Sequence, residues 1–242
     1  MDCEFAAFVT LATIPLRRLD TSGLPTKPCS GTIVDGYSRR ILLTVSHAVR
    51  PDEQWAVEIR YDSQNGTQLW RLGAMQYVMA SGYGPTAEVD LAFLIVGTDL
   101  CPRFQRFNDA GGIAEEIPRI VLKSDLRVPP RTGIKYGFSG TSGVTLEPRP
   151  PALNHAILSG RVPLELGLTF LESDTKYDIF QLGHAHPGHS AFRGCSGAPI
   201  ISEEGDLVGL LVGGCESTST IRSLPLRRYA SAVAAGIHSS VT

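Results

Sequence analysis

Gly194-Cys195-Ser196-Gly197-Ala198-Pro199 presents a single serine on a turn of small residues, ahead of an apolar run and a second turn before Leu207-Val208-Gly209. A serine hydroxyl is a weak nucleophile at neutral pH. It becomes useful when a base takes its proton and backbone donors receive the oxyanion it generates. Glycines on both sides let the chain bend tightly, so that the amides of Gly194 and Ser196 can point at one spot as an oxyanion hole. Taken alone, the hexapeptide is explained equally well by a Gly-Ser-Gly hairpin turn without chemistry.

Two upstream segments add weight to the first reading. Ser30-Gly31-Thr32-Ile33-Val34, a polar turn over residues 35–40 and Ile41-Leu42-Leu43-Thr44-Val45-Ser46-His47-Ala48-Val49 read as a hairpin whose second strand ends at His47. Glu88-Val89-Asp90-Leu91-Ala92-Phe93-Leu94-Ile95-Val96 places a lone carboxylate at the mouth of a buried strand. Singly, Asp90 reads as a strand-cap acid and His47 as a satisfied interior histidine. Together with Ser196 they occur in the order His, Asp, Ser.

On these segments the chain resembles the chymotrypsin/trypsin-like serine endopeptidases, and more the intracellular bacterial and HtrA-type members than the digestive enzymes. TVSHA at 44–48 matches that clan's histidine motif, VDLAFLIV at 89–96 its aspartate motif and GCSGAP at 194–199 its serine motif. With VGLLVGG at 208–214 the likeness spans essentially the whole chain. The resemblance implies an all-β, chymotrypsin-like fold of two six-stranded antiparallel barrels with a C-terminal helix. It also implies peptide-bond hydrolysis through an acyl-enzyme. His47 would be the base and then the acid, Asp90 would hold the imidazole in one tautomer, Ser196 would attack, and the Gly194 and Ser196 amides would form the oxyanion hole. Substrate would pair as an added strand with Val212, Gly213 and Gly214, with Ser190 at the base of the specificity pocket. A neutral base and two glycines leave room for a medium or large uncharged side chain before the scissile bond.

The departures from the clan are informative. Cys195 stands where zymogen-type members carry an aspartate that captures a newly cleaved N-terminus, and the chain has no internal Ile-Val-Gly-Gly sequence. Activation by trimming is therefore not expected, and the turn is either preformed or ordered by a ligand or partner. Cys195 as nucleophile is the weaker alternative, because the cysteine of viral relatives occupies the position of Ser196. Secreted relatives bridge a cysteine near the Cys29 position to one just after the histidine, where this chain has Ala48.

Length and composition agree with this class. A chain of 242 residues with 43% hydrophobic residues can build a substantial core, and 25 glycines and 16 prolines among short apolar runs favour strands and turns. A net charge of -2 gives no basis for nucleic-acid binding, and the basic pairs Arg17-Arg18, Arg39-Arg40 and Arg227-Arg228 read as scattered solvated turns. Membrane attachment is equally unsupported. The N-terminal run lacks a basic leader and reads as a first strand near 5–14 instead of a signal. Five cysteines without paired spacing point to reduced thiols and a cytoplasmic setting.

Further strands are expected near 29–35, 41–46, 55–61, 68–79 and 91–97, and in the second half near 118–124, 132–138, 154–163, 177–182, 198–202 and 207–212. The first barrel, residues 1–105, carries His47 and Asp90. Residues 106–242 hold linker, second barrel with Ser196 and terminal helix, together one peptidase domain. The inter-barrel linker is expected to be irregular over about 98–117. Residues 226–238, with Ala230, Val233, Ala234 and Ile237 at helical spacing, form the best helix candidate.

His184-Ala185-His186-Pro187-Gly188-His189 resembles the histidine motif of metallo-β-lactamase-type hydrolases, with Gly188 in place of its aspartate. A polar loop beside the specificity pocket explains it better, so no metal or cofactor is expected. One of these histidines could instead read an acidic substrate side chain. The expected partner is a polypeptide substrate, joined by a regulatory protein on the reading in which a partner orders the cleft. The competing reading is a catalytically silent binding or scaffold module of the same fold.

Overall fold

The computed structural model describes residues 3–82, 84–109, 112–147 and 157–239. The chain opens with helix α1 (Cys3–Ala12), not with the strand expected near 5–14. Phe5, Phe8, Val9 and Ala12 fall at helical spacing, and all four face the core, Val9 and Ala12 fully buried. A ten-residue helix is marginal in isolation, so this packing holds it.

Seven strands follow: β1 (Ile14–Leu19), β2 (Pro25–Gly36), β3 (Arg39–Thr44), β4 (Gln54–Asp62), β5 (Gly66–Arg71), β6 (Gln76–Gly82) and β7 (Gly84–Val96). They form one antiparallel sheet in the order β5-β4-β1-β2-β3-β7-β6. Among the described residues the first unit thus has seven strands where six were expected. The run at 68–79 is two strands, broken at Leu72-Gly73-Ala74-Met75, and β1, just after α1, takes the place of the strand expected near 5–14. A β8 (Arg103–Phe107) and β9 (Ile113–Pro118) hairpin stands where an irregular linker was expected. Arg103, Gln105, Arg106, Glu115 and Glu116 interrupt its apolar residues, and Phe107 and Ile113 are exposed, which hid the alternation.

The second unit contains β10 (Lys135–Ser139), β11 (Ser142–Glu147), β12 (Ile157–Arg161), β13 (Leu164–Ser173), β14 (Asp178–Gln181), β15 (Pro199–Ser202), β16 (Leu207–Cys215) and β17 (Thr220–Pro225). Six of them close a barrel, β10-β13-β14-β17-β16-β15, while β11 and β12 form a separate ribbon. The expected strand at 118–124 reduces to one bridge between Leu122 and Val34, and residues 154–156 of the run at 154–163 lie outside the described residues. A 3-10 turn (Leu226–Arg228) leads into α2 (Ala230–Ser239), which buries Ala230, Val233 and Ile237 as the spacing predicts.

One apolar cluster runs between the units. It joins Val34, Ile41 and Leu43 of the first to Ile201, Leu207 and Leu210 of the second, with Val9 of α1 and Val233 of α2. Burying such side chains contributes roughly 1.5–3 kcal/mol each, enough to fix the two units as one body. Two of the basic pairs are not solvated turns. Arg17 is buried against Glu58, its Nε donating at 2.7 Å, and Arg227 reaches the buried Asp178, Nη2 to Oδ1 at 2.9 Å. Their charges are consumed inside the fold.

Candidate active site

Strand register brings the first two groups together. Thr44 is the last residue of β3 and pairs with Ala92 of β7. Continuing that register by two residues sets Ser46 opposite Asp90, and the Ser46 hydroxyl donates to Asp90 Oδ1 at 3.1 Å. The chain then turns, with Ala48 N–H donating to the Val45 carbonyl and Val49 N–H to that of Ser46. Val45 and Val49 are fully buried. These two anchors leave His47 projecting between them, its side chain 46% exposed.

The imidazole is gripped from one side. His47 Nδ1–H donates to Asp90 Oδ2 at 2.8 Å, and the His47 backbone N–H donates to Oδ1 at 2.9 Å. Because an ionised carboxylate only accepts, Nδ1 carries the proton and Nε2 is left as an acceptor. The Ser196 hydroxyl donates to that Nε2 at 3.1 Å. Burial pushes the Asp90 carboxyl upward, but hydrogen bonds from the His47 ring and backbone, the imidazole's charge and the Ser46 hydroxyl outweigh it and hold it below its ordinary value.

Glycines shape the serine turn. Gly194 has φ +103° and Gly197 φ +85°, both in the region that side chains disfavour. A Cβ on Gly197 would lie 2.2 Å from the Ser30 carbonyl oxygen, and one on Gly194 would lie 2.4 Å from that of Thr141. The turn is tied to the first unit by a residue the sequence reading overlooked. Ser30 N–H donates to the Ser196 carbonyl at 3.0 Å, and Ser30 Oγ donates to the Gly194 carbonyl at 2.9 Å. Thr141 N–H in turn donates to Ser30 Oγ at 3.2 Å. The carbonyls of Gly194 and Ser196 are thus occupied, whereas their N–H groups have no acceptor among the described residues. Only a serine two residues after a proline, at the head of an apolar strand, signals Ser30 in the sequence, which is too common a pattern to single out.

Cys195 points the other way. It is fully buried among Phe138, Ala198 and Leu211, and burial pushes its thiol up to about 12. A neutral, enclosed thiol is not a nucleophile.

The remaining sequence-derived positions are only partly assembled. Leu210 is the last residue of β16 paired with β15, and the backbone contacts end at Leu211, which donates to the Ala198 carbonyl and accepts from Gly197 N–H. Val212, Gly213 and Gly214 therefore present an edge on the β15 side with no strand against it among the described residues. Ser190 is exposed. The space expected beside Gly214 is filled, since a Cβ there would lie 2.5 Å from His186 Nε2, whereas Gly213 is open. The His186 ring packs edge-on to Phe192 at 5.0 Å between centroids and accepts from Gly188 N–H at 3.0 Å through Nδ1. Its Nε2 is shut from solvent with no partner.

The histidine loop does not converge. His184 Nε2 donates to Glu165 at 2.7 Å, whereas His189 Nε2 lies 3.7 Å from Glu216. Among the described residues no group of three or more His, Cys, Asp or Glu side chains is placed to hold a metal ion. Next to His47 and Asp90 lies an open hollow of about 470 Å³, walled by Arg50, Asp52, Glu88 and Tyr177.

No protein-family profile matches the chain, and no curated protein sequence matches it. Solved structures do. The human heparin binding protein superposes with a TM-score of 0.54 at 13% identity, over 93% of this chain and 90% of that one. Neuropsin, a serine protease of mouse brain, gives 0.55 at 14% identity over 94% and 95%. A serine endoprotease from Yersinia pestis gives 0.50 at 14% identity, over 98% of this chain and 65% of the other. At such identities the likeness is one of fold. The order of the sheets, the closed barrel, the terminal helix and these superpositions agree, and the chain has the chymotrypsin-like, trypsin-type serine protease fold.

Proposed function

We propose that this chain is a serine endopeptidase in which Ser196 is the nucleophile, His47 the general base and acid, and Asp90 the residue that orients and stabilises the imidazole. The observation that carries the reading is the unbroken line of hydrogen bonds from Ser196 Oγ to His47 Nε2 at 3.1 Å and from Nδ1 to Asp90 at 2.8 Å. Nothing about folding a barrel demands that alignment.

In the proposed reaction, Ser196 Oγ bonds to the scissile carbonyl carbon as its proton passes to His47 Nε2. The carbonyl oxygen becomes an oxyanion, received by the unoccupied N–H groups of Gly194 and Ser196. Asp90 stays ionised and stabilises the imidazolium. As the intermediate collapses, the C–N bond breaks and the leaving amine takes the proton from Nε2. Water then gives a proton to Nε2 and attacks the acyl carbon, and the same proton returns to Ser196 as the acid product leaves. The substrate backbone lies against Val212–Gly214 by strand addition, which gives affinity with little sequence preference.

Ser30 supports a preformed turn, because it fixes both carbonyls of the turn without a new N-terminus or a partner. The isolated chain is then active by itself. The five thiols, all free, support a reducing, cytoplasmic setting. Among the described residues no helix is long and apolar enough to cross a membrane. The test is cleavage of a peptide library by the purified chain. Turnover that disappears in Ser196→Ala supports the proposal. Turnover unchanged in that variant refutes it, and turnover seen only after adding a cellular partner refutes the preformed turn.

A further inference from the structure

Away from Ser196, a cavity of about 400 Å³ lies between the first sheet, the β8–β9 hairpin and the β11–β12 ribbon. Its floor carries two arginines, Arg17 and Arg119. Arg17 is 4% exposed, and its Nε and Nη2 both reach the Glu58 carboxylate. Its Nη1 is shut from solvent and has no hydrogen-bond partner. Arg119 donates from Nη1 to the carbonyls of Thr10, at 3.0 Å, and Thr13, and its guanidinium lies 5.5 Å over the Phe104 ring. Its Nε is likewise enclosed without an acceptor.

The charges do not balance in this enclosure. Three arginines line it against one carboxylate, Glu58; Arg103 leans to Glu116 at 3.8 Å, whereas Arg17 and Arg119 each keep an N–H with nothing to donate to. Burial pulls Arg119 down to about 10, the attraction of Glu58 opposing this and the repulsion of Arg17 adding to it, so it remains a cation at neutral pH. Leaving a buried donor unpaired costs about 1–3 kcal/mol, more where the group is charged. Buried donors left unpaired are few in native proteins, and each calls for an explanation such as a bound partner. An ionised carboxylate supplies the acceptors and the missing negative charge together.

The remaining walls are mixed, with Tyr61, Thr67, Gln105 and Thr141 beside a set of apolar side chains. Phe104, Phe107, Leu158 and Val162 belong to that set, with Phe107 and Val162 each 48% exposed at the rim. A small inorganic anion would leave those walls uncovered. We propose that this cavity is a binding site for a small organic acid, its carboxylate on Arg17 and Arg119 and its apolar body against Phe107 and Val162. The site contains none of His47, Asp90 or Ser196. It shares a wall with them through Thr141, whose N–H meets Ser30 Oγ.

Calorimetric titration of the full chain with octanoate, 1-octanol and octylammonium tests the site and does not depend on hydrolysis. Octanoate is expected to bind at one site, at least tenfold more tightly than either of the others. Arg119→Met should weaken it by about tenfold or more, in line with losing a charge-assisted hydrogen bond. Val162→Glu, a change at the exposed rim that leaves the core untouched, should do the same by repulsion and keeps the test decisive if Arg119→Met folds poorly. Equal binding of acid and alcohol, no binding of either, or undiminished octanoate binding in Val162→Glu would overturn the proposal.

Discussion

The Ser30 N–H donates to the carbonyl of Ser196 across 3.0 Å, so a strand of the first unit holds the backbone of the residue that bears the candidate nucleophile in the second. The same serine's hydroxyl holds Gly194. These two bonds occupy both carbonyls, while the Gly194 and Ser196 amides have no acceptor among the described residues. Ser30→Ala keeps the first bond and removes the second, and it also strips the acceptor from Thr141 N–H. An unpaired buried group costs about 1–3 kcal/mol. Cleavage of a fluorogenic peptide should therefore fall about 10- to 100-fold in kcat/KM, with circular dichroism unchanged. A rate within twofold of wild type would show that the turn is held some other way.

Gly197 is the second support of that turn. Replacing it with alanine demands φ +85° from a side-chain-bearing residue and places a Cβ 2.3 Å from Thr44 Oγ1. Overpacking and left-handed backbone strain together cost about 3 kcal/mol or more. Thermal unfolding of Gly197→Ala should show a clearly lower Tm, and a Tm equal to wild type would contradict the close approach.

Asp90 gives a prediction in pH. Its carboxyl is held below the ordinary value of 3.8 in the folded chain, so the folded state favours the ionised form. The stabilisation it lends is fully present above the unfolded value and is lost as pH falls through the folded one. Unfolding by urea, followed from pH 6 down to about 2, should show stability falling on the acid side, less steeply in Asp90→Asn. At neutral pH the same variant should lose roughly 10⁴-fold in kcat by stabilising the wrong imidazole tautomer. An unchanged rate would remove Asp90 from the mechanism.

The thiols separate by environment. Cys29 and Cys195 are enclosed and pushed up to about 12, whereas hydrogen bonds from Ser217 and Thr218 bring Cys215 down to about 7. Iodoacetamide labelling followed by mass spectrometry should therefore modify Cys215 with a midpoint near pH 7 and spare Cys29 and Cys195 in the native state. Early modification of Cys195 would contradict its burial.

How far the sequence could be read follows from how local each signal is. His47, Asp90 and Ser196 each sit in a short run whose strand and turn character is written in adjacent residues, and the register that joins Ser46 to Asp90 extends directly from those strands. The α1 helix was equally legible, because Phe5, Phe8, Val9 and Ala12 repeat with a helical period, but the apolar run around them passes for a strand. Strand β1 was masked by its neighbours, since Arg17 is an arginine in a buried strand and becomes tolerable only through Glu58, 41 residues further on. Ser30 and His186 illustrate what sequence does not carry. One acts on a turn 164 residues away, and the other fills the space beside Gly214 only because two loops of the second barrel meet there.

The most direct measurement is covalent labelling by an organophosphonate probe, which bonds to the activated nucleophile and to nothing that merely folds like a protease. Wild type and Cys195→Ala are expected to be labelled at Ser196, and Ser196→Ala is expected to remain unlabelled. Labelling that survives Ser196→Ala and is lost in Cys195→Ala, or a wild-type chain that never reacts, would contradict the account.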